Sequence, residues 1–261
     1  MLARYRLARQ QNSLIRLIEG GFALLIALLV WTSAALIIDE PILLPSPLAV
    51  LERLFKVIGE KDFLSVVSFS FTRIAGGFLG GLLAGILLAT AAAAFFPVEI
   101  LLRPYLFTIK TVPVASFVVL ALFWFSSARI SLVISFLMVL PIVYTNVLEG
   151  IKATDPAMLE MASVYGLNFR YRFVYLYVPS IKPHLLAACR LALGLAWKAG
   201  VAAEVIGLPD GSLGDKIFRA RQWVETDLLL AYTVVIVVVS LLFERLVLTL
   251  LRAAFRLWEK L

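Results

Sequence analysis

The sequence has little of the chemistry on which enzymes rely. Its 261 residues include one cysteine, Cys189, and one histidine, His184, so an intrachain disulfide is excluded and a cluster of zinc ligands is not available. No Gly-Lys dipeptide occurs in the chain, whereas a phosphate-binding P-loop ends in Gly-Lys followed by Ser or Thr. We therefore expect no catalytic residue, no metal and no cofactor in this chain.

Charged residues are also scarce. They make up 16% of the chain, whereas hydrophobic residues make up 62%; soluble domains average about 25% and 45–50%. The net charge is +7, but Lys and Arg lie between apolar runs rather than on one soluble face, which argues against nucleic acid as a partner. The apolar runs have the length that a lipid bilayer requires, about 20 residues. The sequence predicts an all-α polytopic membrane protein.

The apolar runs predict six transmembrane helices in a single domain, residues 21–250, with tails at 1–20 and 251–261. The expected spans are 21–38, one within 63–96 after a surface lead-in, 105–125, 130–148, 185–206 and 228–250. Pro97 and Pro104 are expected to bracket a short loop before the third span. The connector 41–47 and the amphipathic stretch 48–59 are expected along the membrane surface.

The distribution of basic residues predicts how these spans are oriented. An even number of spans places both termini on one side of the membrane. Both tails and the long loop 149–183 carry more Lys and Arg than the opposite loops, and such an excess marks the cytoplasmic side. We expect both termini and the long loop in the cytoplasm.

The long loop carries helix signals of its own. Asp155-Pro156 is an N-cap followed by proline at the first helical position, which predicts a helix over 157–165. Gly166 then occupies a position that requires a residue tolerant of positive φ. A second helix is expected from Asn168 until Pro179.

The spacing within this loop follows a family pattern. The residues are Glu160-Met161-Ala162, three residues, Gly166, nine residues, Leu176, one residue and Val178-Pro179. This segment resembles the EAA loop of ATP-driven (ABC) importer permeases, which reads Glu-Ala-Ala, three residues, Gly, nine residues, Ile, one residue and Leu-Pro. Met161, Leu176 and Val178 depart from the pattern, and all three are apolar. We also expect the Glu160 carboxylate in the first turn of its helix, where it complements the helix dipole.

The resemblance extends over about residues 44–250 and points to the nitrate, sulfonate, taurine and bicarbonate branch. It rests on Leu44-Pro45-Ser46-Pro47, Ser70-Phe71-Thr72-Arg73, Gly76-Gly77-Phe78, Thr111-Val112-Pro113, Ala203-Glu204 and Gly211-Ser212-Leu213-Gly214. It implies a type I ABC importer permease in the bacterial inner membrane that carries a small polar or anionic solute. It also implies a permease homodimer, two cytoplasmic ATPase subunits that bind ATP and Mg, and an extracytoplasmic solute-binding protein.

Other interpretations remain beside this one. The aromatic residues of the long loop are also typical of a hairpin that anchors at the lipid headgroups. An ion-coupled secondary transporter often shows inverted repeats, and no convincing internal repeat is present. A membrane-embedded enzyme would need Asp, His or Ser grouped at the interface, and the chain lacks such a group.

Two stripes of small residues predict close helix packing, because small residues every four positions let membrane helices approach each other. The first stripe contains Gly77, Gly81 and Gly85; the second contains Ala188, Ala192, Ala196 and Gly200.

Four charged residues within or beside the spans are candidates for the solute pathway or its gate: Glu204, Lys198, Lys110 and Arg73. A carboxylate within a span is costly, so Glu204 is expected to face protein or a water-filled path. The alternative places it near the outer interface, paired with an Arg or with the Gly207–Gly214 turn. Lys198 and Lys110 either face the solute or extend towards an interface.

Overall fold

The chain is helical throughout most of the range that the computed structural model describes, residues 13–258, with side chains described from residue 18. The helices are α1 (Ser13–Ile38), α2 (Pro47–Ile58), α3 (Phe63–Ala94), α4 (Phe96–Thr111), α5 (Val114–Ala121), α6 (Ile130–Lys152), α7 (Pro156–Val164), α8 (Phe169–Arg172), α9 (Val178–Gly207), α10 (Leu213–Gln222) and α11 (Thr226–Trp258). A π-helical segment, Phe173–Tyr177, joins α8 to α9. No strand occurs within the described range, and the all-α class is confirmed.

Five helical stretches of the described chain are long and apolar enough to cross a membrane, and a bent pair raises the number to as many as six. The five are Ile18–Ile38, Phe63–Ala94, Ser127–Lys152, Phe169–Gly207 and Thr226–Trp258. The bent pair is α4 with α5, which meet at 104°. The third span predicted over 105–125 is therefore not a single helix: it covers the second half of α4, the bend and α5.

Proline explains the break between α4 and α5. Val112 has an extended backbone, φ −72° and ψ 133°, because the ring of Pro113 disfavours helical geometry at the residue before it. The loop predicted between Pro97 and Pro104 is wrong, since Pro97 opens α4 and Pro104 lies inside it. A proline in the first turn of a helix loses no hydrogen bond, because the N–H it lacks has no partner there.

The second helix of the long loop does not stop at Pro179. Helix α8, the π-helical segment and α9 follow one another without interruption and form one rod of 39 residues, Phe169–Gly207. At 1.5 Å per residue this rod is about 58 Å long. The part of the long loop that lies outside the long helices is reduced to residues 153–168, which contain α7.

Helix α6 lies at the centre of the bundle, with α3 on one side and α9 on the other, and both small-residue stripes pack there. A Cβ atom placed on Gly77 would lie 2.4 Å from the carbonyl oxygen of Leu132 in α6. One placed on Gly200 would lie 2.7 Å from Oγ of Ser135. These separations are shorter than van der Waals contact, so the helices come closer than a larger residue would allow. Gly81 and Gly85 also meet α6 closely, and Ala188, Ala192 and Ala196 are fully buried.

The bundle has two ends, which we name after the short helices that lie there. At the α10 end, Nζ of Lys216 lies 2.6 Å from Oδ2 of Asp62, which precedes α3. Arg53 of α2 joins the same end through Glu225, which precedes α11, with 3.2 Å between Nη2 and Oε2. The α7 end contains α7, α8, the start of α4 and the last residues of α6 and α11.

Candidate functional site

The segment between α6 and the rod, residues 153–168, forms a hairpin that local capping interactions stabilise. The carboxylate of Asp155 accepts a hydrogen bond from the N–H of Ala157, at 2.9 Å, and so caps α7. Gly166 has a φ of +66°, a left-handed conformation that costs glycine little and other residues more. The N–H of Leu167 donates to the carbonyl oxygen of Ala162 at 2.9 Å and closes the turn. The cap and the positive φ expected from the sequence are both present.

The same hairpin exposes apolar side chains on its outer surface. They are Met158, Met161, Val164 and Tyr165, and Val164 is 85% exposed; Phe169, at the start of the rod, is exposed beside them. Ala162, in contrast, is fully buried. A short helix with an exposed apolar face, lying outside the long helices, is suited to docking in a groove of another protein.

Glu160 is exposed on α7. The expectation that it lies in the first turn is wrong, because α7 begins at Pro156 and Glu160 is its fifth residue. The effect of the helix dipole falls off within the first turn, so it does not apply to this carboxylate. What remains is an exposed negative charge beside the apolar side chains of the hairpin.

The remaining residues of the EAA-type pattern lie where the rod begins. Leu176 is in the π-helical segment, and Val178 and Pro179 open α9. Arg172 fastens the hairpin to the rod, since its Nε donates to the carbonyl oxygen of Leu167 at 2.9 Å. The pattern therefore covers two structural pieces, the hairpin and the start of the rod, with Gly166 at the turn between them.

Glu204 lies near the opposite end of the rod, and its side chain is fully buried. Its Oε2 accepts hydrogen bonds from Oγ of Ser70, at 2.7 Å, and from the N–H of Gly214, at 3.2 Å. Ser70 belongs to α3 and Gly214 to α10, so one carboxylate oxygen joins three helices. We call these three residues the Glu204 clamp. Of the two alternatives left by the sequence, this geometry corresponds to pairing with the Gly207–Gly214 turn.

The first turn of α10 reinforces the Glu204 clamp. Oγ of Ser212 accepts from the N–H of Asp215 at 3.0 Å and caps α10. The N–H of Leu213 donates to Oγ of Ser70 at 2.9 Å. The hydroxyl of Ser70 is therefore both an acceptor from α10 and a donor to Glu204, which fixes α10 against α3 and α9 together.

The three basic candidates do not share a site. Nε of Arg73 donates to the carbonyl oxygen of Ala128, in the turn before α6. Nζ of Lys110 donates to Oγ1 of Thr145 at 2.7 Å. Lys198 lies on the exposed side of α9. Arg73 thus ties two segments together, whereas Lys110 and Lys198 are separate polar positions on different helices.

The sequence offers the Gly207–Gly214 turn as a partner of Glu204, but it does not identify Ser70. Ser70 is 134 residues away and Gly214 is ten residues away, and no helical spacing relates either of them to Glu204. The available signal was the cost of burying a carboxylate, which requires hydrogen-bond donors close by. A serine in a neighbouring span and the N–H groups of a Gly-rich turn are donors of the required kind.

Comparison with known families agrees with the resemblance seen in the sequence. A family model described as the inner membrane component of binding-protein-dependent transport systems matches residues 81–256. This range contains the hairpin, the rod and Glu204, so the match includes both ends of the bundle.

Individual relatives of the chain are also named as transport permeases. The taurine transport system permease protein TauC of Escherichia coli strain K12 is 28% identical over 247 residues, 92% of this chain and 88% of that protein. A Bacillus subtilis strain 168 permease named for aliphatic sulfonates transport, SsuC, is 30% identical over 203 residues, 77% of this chain and 73% of that protein. A crystal structure of an amino acid ABC transporter with histidines has a TM-score of 0.53 at 20% identity, over 72% of this chain and 89% of that one. The structural match shows the fold.

Proposed function

The chain belongs to the family of inner membrane components of binding-protein-dependent transport systems, and we propose that it forms the path through which its transporter admits a small anionic solute. As an ABC transporter permease it is a multi-pass inner membrane protein that works in a complex with an ATPase and a binding protein. It is a transporter subunit rather than an enzyme. This membership decides against the ion-coupled secondary transporter.

The expected solute is a sulfonate or a chemically similar oxyanion. Two of its relatives are named for taurine and for aliphatic sulfonates. The exposed Lys110 and Lys198 would favour an anion over a cation electrostatically if they face the path. Nitrate and bicarbonate, the other solutes of the branch that the sequence resembles, share the negative charge.

The observation that carries the proposal is the hairpin, with α7 outside the long helices and its apolar face exposed. In our proposal the α7 end is cytoplasmic, the ATPase receives α7 in a surface groove, and Glu160 meets a basic side chain beside that groove. ATP and Mg bind to the ATPase, not to this chain. Because each permease offers one hairpin, a homodimer presents two hairpins to two ATPase subunits.

The rod gives the hairpin a mechanical link to the opposite end. Closure of the ATPase dimer on ATP moves α7, and the Arg172 contact passes the movement to the start of the rod. The rod reaches the Glu204 clamp without a break. Movement at the hairpin is thereby transmitted to α10, which serves as the outer gate, and the path opens to one side at a time.

Reconstitution tests this proposal. The permease, its ATPase and its binding protein are placed in phosphatidylcholine vesicles loaded with ATP, with the binding protein and labelled taurine outside. We expect uptake that requires both ATP and the binding protein. Uptake that proceeds without ATP and follows an ion gradient would contradict the proposal, and vesicles lacking the ATPase supply the control.

The orientation is tested separately by fused reporters. A reporter inserted after Glu225, which lies at the α10 end, is expected on the extracytoplasmic side of the membrane. A reporter inserted after Lys152, next to the hairpin, is expected in the cytoplasm. An external signal at Lys152 would place the hairpin on the side where no ATPase is present.

A further inference from the structure

A groove of about 450 Å³ lies between α4 and α6 at the α7 end. Its volume falls in the range of small-ligand pockets. Its charged and polar lining residues are Glu99, Arg103 and Lys110 from α4, and Thr145, Glu149 and Lys152 from α6. We call this region the α4–α6 groove; neither Arg73 nor Glu204 contributes to it.

The lining residues form two facing stripes. On α6, positions 145, 149 and 152 are spaced by four and three residues, so they share one helix face. The two helices run in opposite directions: Nζ of Lys152 meets Oε1 of Glu99 at 2.6 Å, and Lys110 meets Thr145 further along. Thr145 and Lys152 are seven residues apart, about 10 Å along α6. The Glu99–Lys152 ion pair therefore lies nearer the α7 end, and Lys110 lies about 10 Å further along the groove.

The positive charges that line the groove outnumber the negative ones. Lys152 and Glu99 compensate each other. Of the remaining lining charges, Arg103 and Lys110 are positive and Glu149 is negative. Within the described part of the chain, neither Arg103 nor Lys110 lies within ion-pair distance of a carboxylate. A cation in a membrane helix is costly unless it faces water or an anion. An anion bound between Arg103 and Lys110 would supply the counter-charge that the chain does not.

The hydrogen bonds around Lys110 leave donors free for a ligand. The hydroxyl of Thr145 donates to the carbonyl oxygen of Pro141 at 2.8 Å, so it accepts from Lys110 and holds the ammonium in place. An ammonium has three donors and a guanidinium has five, and one donor of Lys110 is engaged by Thr145. Phe107 and Tyr144 also line the groove and offer an apolar surface for the carbon part of an organic anion.

We propose that the α4–α6 groove is an anion-binding site on the solute path, in which Lys110 and Arg103 hold a sulfonate or similar oxyanion and Thr145 orients Lys110. This inference rests on the proposed function, whose inward-moving solute passes the α7 end last. Glu149 opposes the anion within the same groove, which keeps binding weak enough for release. The groove thus serves the exit step rather than the initial selection of the solute.

Uptake by the reconstituted transporter tests the site with Lys110→Met, which keeps the length of the side chain and removes its charge. We expect taurine uptake to fall by about tenfold or more, as for the loss of a charge-assisted hydrogen bond. Lys110→Arg, which keeps the charge, should retain most of the uptake. Lys61→Met, a lysine outside the groove, is the matched control and should behave as wild type.

Each result decides the inference. Normal uptake by Lys110→Met would overturn the site and leave the proposed function standing, whereas absence of ATP-dependent taurine uptake by the wild type would remove both. Equal loss in Lys110→Arg and Lys110→Met, together with a lowered unfolding temperature, would assign Lys110 to packing. A loss seen only in vesicles that contain phosphatidylglycerol, and not in phosphatidylcholine, would assign the groove to a lipid headgroup. The last two outcomes also overturn the proposal.

Discussion

The α10 end and the α7 end of the bundle use their polar and apolar groups in opposite ways. At the α10 end, the carboxylate of Glu204 is fully buried and its hydrogen bonds go to α3 and α10. At the α7 end, the carboxylate of Glu160 is exposed, and so are the apolar side chains around it. One end buries its carboxylate and hydrogen-bonds one of its oxygens within the chain, whereas the other leaves its carboxylate and apolar groups exposed.

This difference indicates where stability and where function reside. Groups buried and hydrogen-bonded inside the chain contribute to folding, and their loss leaves unpaired donors behind. Exposed apolar groups on a short hairpin contribute little to the folding of this chain, but they provide a contact surface. Mutations at the α10 end should therefore lower the stability of the isolated permease, whereas mutations at the α7 end should affect its assembly with the ATPase.

The largest effect on stability is expected from Gly214→Ala. A Cβ atom at Gly214 would lie 2.3 Å from Cβ of Glu204 and 2.6 Å from the backbone nitrogen of Val205. Backbone cannot move aside like the end of a flexible side chain, so the cost should be at the upper end of about 1–3 kcal/mol for overpacking. The unfolding temperature of the purified permease measures it. Gly194→Ala, where nothing lies within 4 Å, is the control and should leave the temperature unchanged or raise it.

The second largest effect on stability is expected from mutations in the Glu204 clamp. Glu204→Ala removes the acceptor of two buried donors, each of which costs about 1–3 kcal/mol when left unpaired, so the unfolding temperature should fall clearly. Glu204→Gln keeps a carbonyl oxygen that can accept from Ser70 and Gly214 and nearly keeps the volume of the side chain, so it should keep the stability. Taurine uptake by Glu204→Gln decides the role of the residue. Retained uptake means that hydrogen bonding is what matters; lost uptake at normal stability would return Glu204 to direct action on the solute.

A smaller effect on folding but a clear effect on assembly is expected at Gly166. Its φ is +66° and nothing lies within 4 Å of its Cβ position, so Gly166→Val brings backbone strain, about 1–3 kcal/mol, without a clash. The strain should redirect α7 and detach the ATPase. Gly166→Asn is the control, because asparagine tolerates this conformation. Co-purification of the ATPase and binding-protein-stimulated ATP hydrolysis are measured; full coupling in Gly166→Val would show that the hairpin is not the coupling element.

Local signals in the sequence predicted the parts of the fold that depend on neighbouring residues. Asp155 and Gly166 mark a cap and a turn, and both geometries are present. Apolar length predicts six spans, and five of them correspond to single long helices. Apolar length does not reveal the bend within the third of these spans, because hydropathy contains no information on the extended backbone that Pro113 imposes on Val112. The π-helical segment likewise carries the helix past Pro179, where a proline alone suggested an end.

Contacts between distant residues could not be predicted in the same way. The pairing of Ser70 with Glu204, and of Lys110 with Thr145, depends on how α3, α4, α6 and α9 pack, and spacing along one chain does not contain that information. The sequence does single out Lys110 as a pathway candidate, because a charged side chain within an apolar segment is costly to bury in a membrane. Arg73 and Lys198 lie on other helices, and their role as pathway candidates stays a prediction.

The smallest effect is expected from the ion pair between Asp62 and Lys216, and it tests whether the α10 end is held together by charge as well as by the Glu204 clamp. The hydrogen bond from Lys216 lowers the pKa of Asp62 below its ordinary value. A carboxylate with a lowered pKa in the folded state contributes its stability above the ordinary pKa of aspartate, about 4, and loses it as the pH falls through the lowered value. Asp62→Asn should therefore lower the unfolding temperature at pH 7, and the difference from wild type should shrink below about pH 4.

The size of this effect is limited by exposure, since the Asp62 side chain is 51% exposed, and exposed pairs contribute at most about 1 kcal/mol. Added salt should reduce the difference at pH 7, because it screens exposed charges. Glu160→Gln is the control, since it removes an exposed carboxylate at the α7 end that forms no ion pair within the described part of the chain. It should leave the unfolding temperature of the isolated permease unchanged at pH 7 and at pH 3. A difference for Asp62→Asn that persists unchanged at pH 3 would mean that the carboxylate acts through packing, and that the α10 end owes nothing measurable to this charge pair.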